Sequence, residues 1–276
     1  MRIKLKPPEV RQALEFSWKI CGDKNQVGSD FGRRDLPRSL VDQVADTTEG
    51  KLAELAFSKF AEKKYNLRIE VDFKIYLGMH HIDYGNDIPS IIISDETLEC
   101  RSRVDIKATR LYSKWLLVER HKFWADAYII VKVDLPQDIE SNLDGLTKLA
   151  SSSVEAEVCG FVYHFDLIDS KSNEPWFVFR KGEKLFDPVI LKKISKKLLT
   201  SPVSIKNALN ELSQDGLVRY HNCYLKAKEN FGVPIELTRK SKDEWNAFFC
   251  WIKGSSYKNE KEGLALKIAE LGKLSP

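Results

Sequence analysis

The chain is poor in the features that mark several large classes of protein. Its five cysteines, Cys21, Cys100, Cys159, Cys223 and Cys250, are odd in number, widely spaced and never arranged as CxxC. That pattern argues against a disulfide framework and against a zinc knuckle. His80 and His81 are adjacent, so an extended backbone would point them to opposite faces, and no further ligand stands at metal-binding spacing. Apolar runs stay far short of the roughly 18 residues that cross a bilayer. The best are segments such as Ile91 to Ile93 and Tyr128 to Val131. The first eight residues alternate basic and apolar side chains before two prolines and lack the apolar stretch of a secretory signal, so a cytoplasmic protein without a membrane partner is expected. Neither GxxxxGK[ST], GxGxxG nor GxSxG occurs, which leaves no nucleotide cofactor and no esterase-type serine encoded. Internal repeats and low-complexity tracts are absent as well.

What is present suits a globular protein. The 276 residues are 43% hydrophobic, enough for one large domain or two modest ones with a real core. A net charge of +4 is small, but its distribution is uneven. Bases gather near the start (Arg2, Lys4, Lys6, Arg11, Arg33, Arg34, Arg38) and in the last third (Lys192, Lys193, Lys196, Lys197, Arg239, Lys240, Lys242), whereas acids concentrate between them. Such placement suits flanks that grip phosphates around a central carboxylate site; solvated faces would look the same.

Periodicity divides the first half of the chain into elements. From Val41 to Lys64 apolar residues recur at helical spacing, with Thr47 or Thr48 as the cap because Gly50 interrupts a longer helix. Arg68 to Leu77 alternates as a half-buried strand. Asp87 then precedes the apolar run 88–93, a polar turn at 94–96 and a second strand ending in 103–109, so a hairpin is expected with a carboxylate at each strand's end. The stretch 111–126 is mixed, its second half helical, and 127–135 reads as a buried strand stopped by Pro136. The resulting order, helix, three strands, helix, strand, implies an α/β fold. Further on, 157–167 and 176–180 read as strands and 189–220 as helical. Within the last, 201–220 has the spacing of part of a winged helix-turn-helix, as has any helix ending at a glycine.

Asp105 and Lys107 stand at i and i+2 of a strand and so share a face. Asp87 lies 18 residues earlier, enough for two short strands and a turn that return it beside Asp105. Two carboxylates at one point repel unless a divalent cation joins them, and Mg²⁺ binds one or two carboxylates while keeping waters. On an ordinary strand the same Asp105 and Lys107 would form a surface ion pair worth at most ~1 kcal/mol.

This arrangement resembles the PD-(D/E)XK, or restriction-endonuclease-like, nuclease superfamily. Asn86-Asp87 stands for its PD, with asparagine in place of proline, and Asp105-Ile106-Lys107 for its (D/E)XK. The helix 50–56 is similar to the superfamily's first core helix, whose further acid would be Glu54. Asp83 competes with Asp87 for the first position. The resemblance spans about residues 42 to 135. It implies a restriction-endonuclease-like core, a mixed central sheet flanked by helices, over 42–188. A basic N-terminal extension (1–41) and a basic C-terminal region (189–276) would flank that core.

It also implies Mg²⁺ held by Asp87, Asp105, the Ile106 carbonyl and Glu54, with Lys107 acting on the attacking water or the phosphate. His121 would lie on the helix facing the site, or on the surface. The implied activity is a type II restriction endonuclease acting on double-stranded DNA as a homodimer, with Arg33, Arg34, Arg38, Lys192, Lys193, Lys196 and Lys197 contacting DNA. A structure-dependent repair, recombination or defence nuclease and a non-cleaving DNA-binding regulator are the alternatives.

Overall fold

The structure, a computed structural model, describes residues 1–22, 39–74, 86–100, 102–120, 123–136, 139, 143–168, 178–180, 185–186, 220–221 and 229–254. A four-stranded mixed sheet lies at its centre in the order β1 (Arg2–Leu5), β8 (Val154–Tyr163), β7 (Ala127–Val133), β5 (Val104–Arg110). β5 and β7 run parallel, and the other pairs are antiparallel. The chain is therefore α/β. The expected buried strand at 127–135 is β7, whose Ala127 to Val131 are all buried.

Alternation along β5 and β7 assigns the two faces of the sheet. Val104 and Ile106 register with Ala127 and Ile129, and all four belong to the larger core. That core is filled from α1 (Pro7–Gly22), α2 (Leu40–Tyr65), α3 (Leu143–Leu149) and α4 (Lys242–Ile252). Tyr128 and Ile130 belong to a second core with Leu116, Val118, Val162 and Ile235. It lies beneath an antiparallel sheet of β6 (Trp115–Glu119), β12 (Glu229–Pro234) and β9 (Val178–Arg180). Among the described residues, then, helices cover one face and strands the other, where a mixed sheet flanked by helices was expected.

Beside β5 lies a third small sheet of β2 (Arg68–Ile69), β3 (Ser90–Ile93) and β4 (Glu96–Glu99). Its β3–β4 hairpin turns at Ser94 and Asp95, both at positive φ (48° and 69°), the geometry of a two-residue type I′ turn. The remaining described strands, β10 (Leu185–Phe186) and β11 (Tyr220–His221), pair with each other.

Several expectations need correction. α2 is one 26-residue helix that starts at Ser39, not at Thr47 or Thr48. Ser39 and Asp42 form a reciprocal capping box at 3.1 Å in each direction. Thr47 and Thr48 instead return their hydroxyls to the carbonyls of Gln43 and Val44, four residues back. The strand foreseen at 68–77 pairs only over Arg68–Ile69, and 75–77 lie outside the described residues.

The single strand foreseen before Thr109 divides into β4 and β5, which belong to different sheets. The mixed stretch after β5 holds strand β6 in its first half, so a layer of sheet fills the parallel crossover between β5 and β7. Of the half expected to be helical, 121–122 lie outside the described residues and 123–126 form no α-helix. β8 begins at Val154 and gives way at His164 to a 3₁₀ turn. Residues 1–22 are no extension: β1 pairs with β8, and α1 packs on α2 within the core. The C-terminal region likewise contributes β12 and α4 to the two cores. Residues 189–219, with nearly all of the winged-helix spacing, lie outside the described residues.

Candidate active site

Among the described residues β5 has a strand partner on one side only, and an open strand edge leaves N–H and C=O groups to be satisfied. Residues 86 and 87 do this at the N-terminal half of β5. Asp87 N–H donates to the Val104 carbonyl at 2.8 Å. Ile106 N–H donates to Asp87 Oδ2 at 2.6 Å, and Val104 N–H to Asn86 Oδ1 at 3.3 Å. Asn86 stands where the motif has proline, and its side chain supplies an acceptor proline lacks. Asp87 thus bridges the residues on either side of Asp105, carried there by the residues leading into β3 rather than by a hairpin strand paired with β5. The Ile106 carbonyl leaves the strand on the same side as its N–H, toward Asp87.

Asp105 registers with Tyr128 and Lys107 with Ile130, so both project to the strand-covered face. Lys107 Nζ lies 2.6 Å from Asp105 Oδ2, with the side chains only 21% and 9% exposed. Sheltered charges cost desolvation that a single close contact recovers only in part. Such a pair is an unusual choice for stability alone.

Glu54 is not gathered with them. It sits on α2, against the opposite face of the sheet, and pairs with Lys51 at 2.7 Å beneath Phe16 and Phe73, whose ring centroids are 5.0 and 5.9 Å from the Lys51 ammonium. No group of three or more His, Cys, Asp and Glu side chains converges as a metal site among the described residues. Asp83, His121, Arg33, Arg34, Arg38, Lys192, Lys193, Lys196 and Lys197 lie outside the described residues. Compared with protein-family models, with curated proteins and with solved structures, the chain matches none.

The sequence reading missed the corner 123–126 that leads into β7. Asp126 N–H donates to the Arg103 carbonyl at 2.8 Å, and Arg103 N–H returns a bond to Asp126 Oδ2 at 2.8 Å. Ala125 N–H donates to the Tyr128 hydroxyl at 3.2 Å. His164 N–H donates to the Asp126 carbonyl at 2.9 Å, and its Nδ1 lies 3.2 Å from the Ala125 carbonyl. Phe123 stacks parallel to Tyr128 at 5.8 Å and lies 4.3 Å from the His164 ring.

Burial pushes the His164 imidazole below its ordinary pKa and the Tyr128 phenol above its own, so both are held neutral. The thiols of Cys100 and Cys159 are pushed up to about 11 by burial and are poor nucleophiles at neutral pH. One signal of this corner was legible in the sequence, the alternation Arg103, Asp105, Lys107. The partners of Arg103 come from a loop and follow no period.

Proposed function

We propose that the chain is a metal-dependent nuclease of the PD-(D/E)XK type, a type II restriction endonuclease that hydrolyses phosphodiester bonds of double-stranded DNA. The observation that carries this reading is that Asp87 accepts the N–H of Ile106, the residue next to Asp105, while the Lys107 ammonium sits on Asp105. The donors fit Mg²⁺: two carboxylates and a backbone carbonyl are hard oxygen ligands, and the ion needs no larger protein cage. Asp87, Asp105 and the Ile106 carbonyl would hold it, and Glu54 stands outside that set. Bound there, Mg²⁺ supplies Lewis acidity toward a phosphate oxygen and a water of lowered pKa. Asp87 contributes a carboxylate already oriented by the Ile106 amide, which lowers the entropic cost of assembling the site. Lys107 offsets one of two crowded negative charges and places an ammonium where charge builds on the phosphate.

One such site cuts one strand. A homodimer whose twofold axis matches that of the duplex would cut both in one encounter. The absence of a Walker phosphate loop among the motifs and the basic flanks favour a simple DNA cutter in the cytoplasm over an ATP-driven one.

Plasmid digestion with Mg²⁺ tests the reading. Wild type should give discrete bands, with linear product appearing without a lasting nicked intermediate. Asp105→Ala and excess EDTA should each abolish cleavage, while Asp105→Ala still binds DNA. Smeared products would favour a structure-dependent nuclease. Absence of cleavage with every divalent ion would leave a DNA-binding regulator, and undiminished cutting by Asp105→Ala would remove the site.

A further inference from the structure

Arg103 stands one pleat ahead of Asp105, so the side chains at 103, 105 and 107 alternate cation, anion, cation along one strand line. Its backbone is fixed by the two 2.8 Å bonds with Asp126. Its side chain has much less to do within the protein. The Asp126 contact is 4.0 Å long, at the outer limit of an ion pair, and the guanidinium carbon lies 5.8 Å from the centre of the Trp124 ring, with the side chain 49% exposed. Trp124 belongs to the corner that His164, Tyr128 and Phe123 brace. An arginine resting on an indole loses little freedom when it binds and keeps its donors in a fixed plane, the geometry that suits a phosphate.

We infer that Arg103, braced on Trp124, binds the phosphate next to the scissile one on the same DNA strand. This rests on the nuclease reading of Asp87 and Asp105, and it adds a positioning residue which that reading did not contain. Residues i and i+2 of a strand are separated by about 6.6 Å, the same order as successive phosphates along one nucleic-acid strand. A phosphodiester centred at Asp105 would therefore bring its neighbour within reach of Arg103. Asp126 does not compete strongly, because its carboxylate already accepts the Arg103 N–H at 2.8 Å. Removing the side chain leaves both backbone bonds in place, so the corner should survive the substitution.

The test is equilibrium binding of a fluorescent duplex in Ca²⁺, without turnover, from about 50 to 200 mM salt. One lost phosphate contact should lower the slope of log affinity against log salt by about 0.9. It should also weaken binding by about tenfold at low salt. Arg103→Ala and Arg103→Gln should both show this, and Arg103→Lys should restore the slope with part of the affinity. Because Gln keeps the length of the stem, it carries the test if Ala unfolds, with thermal melting as the check on folding. An unchanged slope in a folded Arg103→Gln overturns the inference, as does wild type that binds no duplex. If wild type cleaves while the slope is unchanged, only Arg103 is lost. If wild type binds with an Arg103-dependent slope yet never cleaves, the phosphate contact stands and the nuclease reading falls.

Discussion

At the end of β8 the His164 imidazole rests on Phe123 and faces the Ala125 carbonyl, and burial lowers its pKa against the pull of that carbonyl and of Asp126. The unfolded chain, with an ordinary histidine, therefore binds the proton more readily than the folded chain does. Between the folded pKa and about 6.5 stability must fall as pH falls, and above that window the contribution is fully present. Wild type should lose more stability between pH 7 and pH 5 than His164→Gln, which keeps a polar group and cannot charge. Urea unfolding at the two pH values measures the difference, and equal losses would show that burial of His164 is not felt by the folding equilibrium.

At this scale the pairing of Asp105 with Lys107 was legible, and the two side chains meet at 2.6 Å. Asp105 and Lys107 were found from strand alternation alone, because period two dictates a shared face. Glu54 was named only by the resemblance of 50–56 to a core helix, and a resemblance in sequence does not give the side of the sheet on which that helix packs; its carboxylate pairs with Lys51.

The elements of the fold divide in the same way. A run such as 127–133, apolar but for Lys132, reads as a central strand, and β7 is buried on both faces as that reading requires. Trp115–Glu119 carries four apolar residues in five, which fit a strand or a turn of helix equally, and only the pairing with β12 decides. The start of α2 was misplaced because Gly50 was taken as a reason to shorten the helix, although Ser39 and Asp42 carry the capping signature.

Gly50 and Gly160 now separate cleanly. A Cβ at Gly50 meets nothing within 4 Å, so Gly50→Ala should stabilise by about 0.5 to 1 kcal/mol through helix propensity. Gly160 sits where β8 bulges against β7, on the face reached by the 3₁₀ turn Ile235–Thr238. A Cβ there would lie 1.8 Å from the Thr238 carbonyl oxygen, which is backbone and cannot rotate aside. Gly160→Ala should cost about 1 to 3 kcal/mol or more by overpacking. Urea midpoints at an unchanged m-value should move in opposite directions for the two variants; a stable Gly160→Ala would mean that the 3₁₀ turn is free to shift.

Across the whole molecule, elements from the first and last parts of the described residues share one core on one face of the central sheet. α4, near the C-terminal end of the described residues, places Trp245 among Phe57 and Phe60 of α2, Phe161 of β8, and Phe248 and Phe249 of its own helix, at centroid distances of 4.8 to 6.0 Å. α2 in turn packs against α1, and its Glu49 reaches Arg110 at the far end of β5 at 3.3 Å, with both side chains nearly buried. The helix that backs the strand of Asp105 is therefore clamped from the C-terminal side. This clamp was invisible to a reading that treated 189–276 as a separate basic region, because aromatic residues 80 to 190 positions apart leave no local period. If α4 is part of one cooperative unit, Trp245→Ala should remove about 3 to 5 kcal/mol from the entire protein. For a chain of this size that corresponds to a fall in melting temperature of roughly 2 to 4 °C per kcal/mol. Far-ultraviolet circular dichroism, which follows the whole backbone, and tryptophan fluorescence should move to the same new midpoint, as a two-state transition requires. A variant whose circular dichroism melts as wild type while fluorescence shifts alone would instead make α4 a separable appendage, and the clamp on α2 would have no bearing on the strand that carries Asp105.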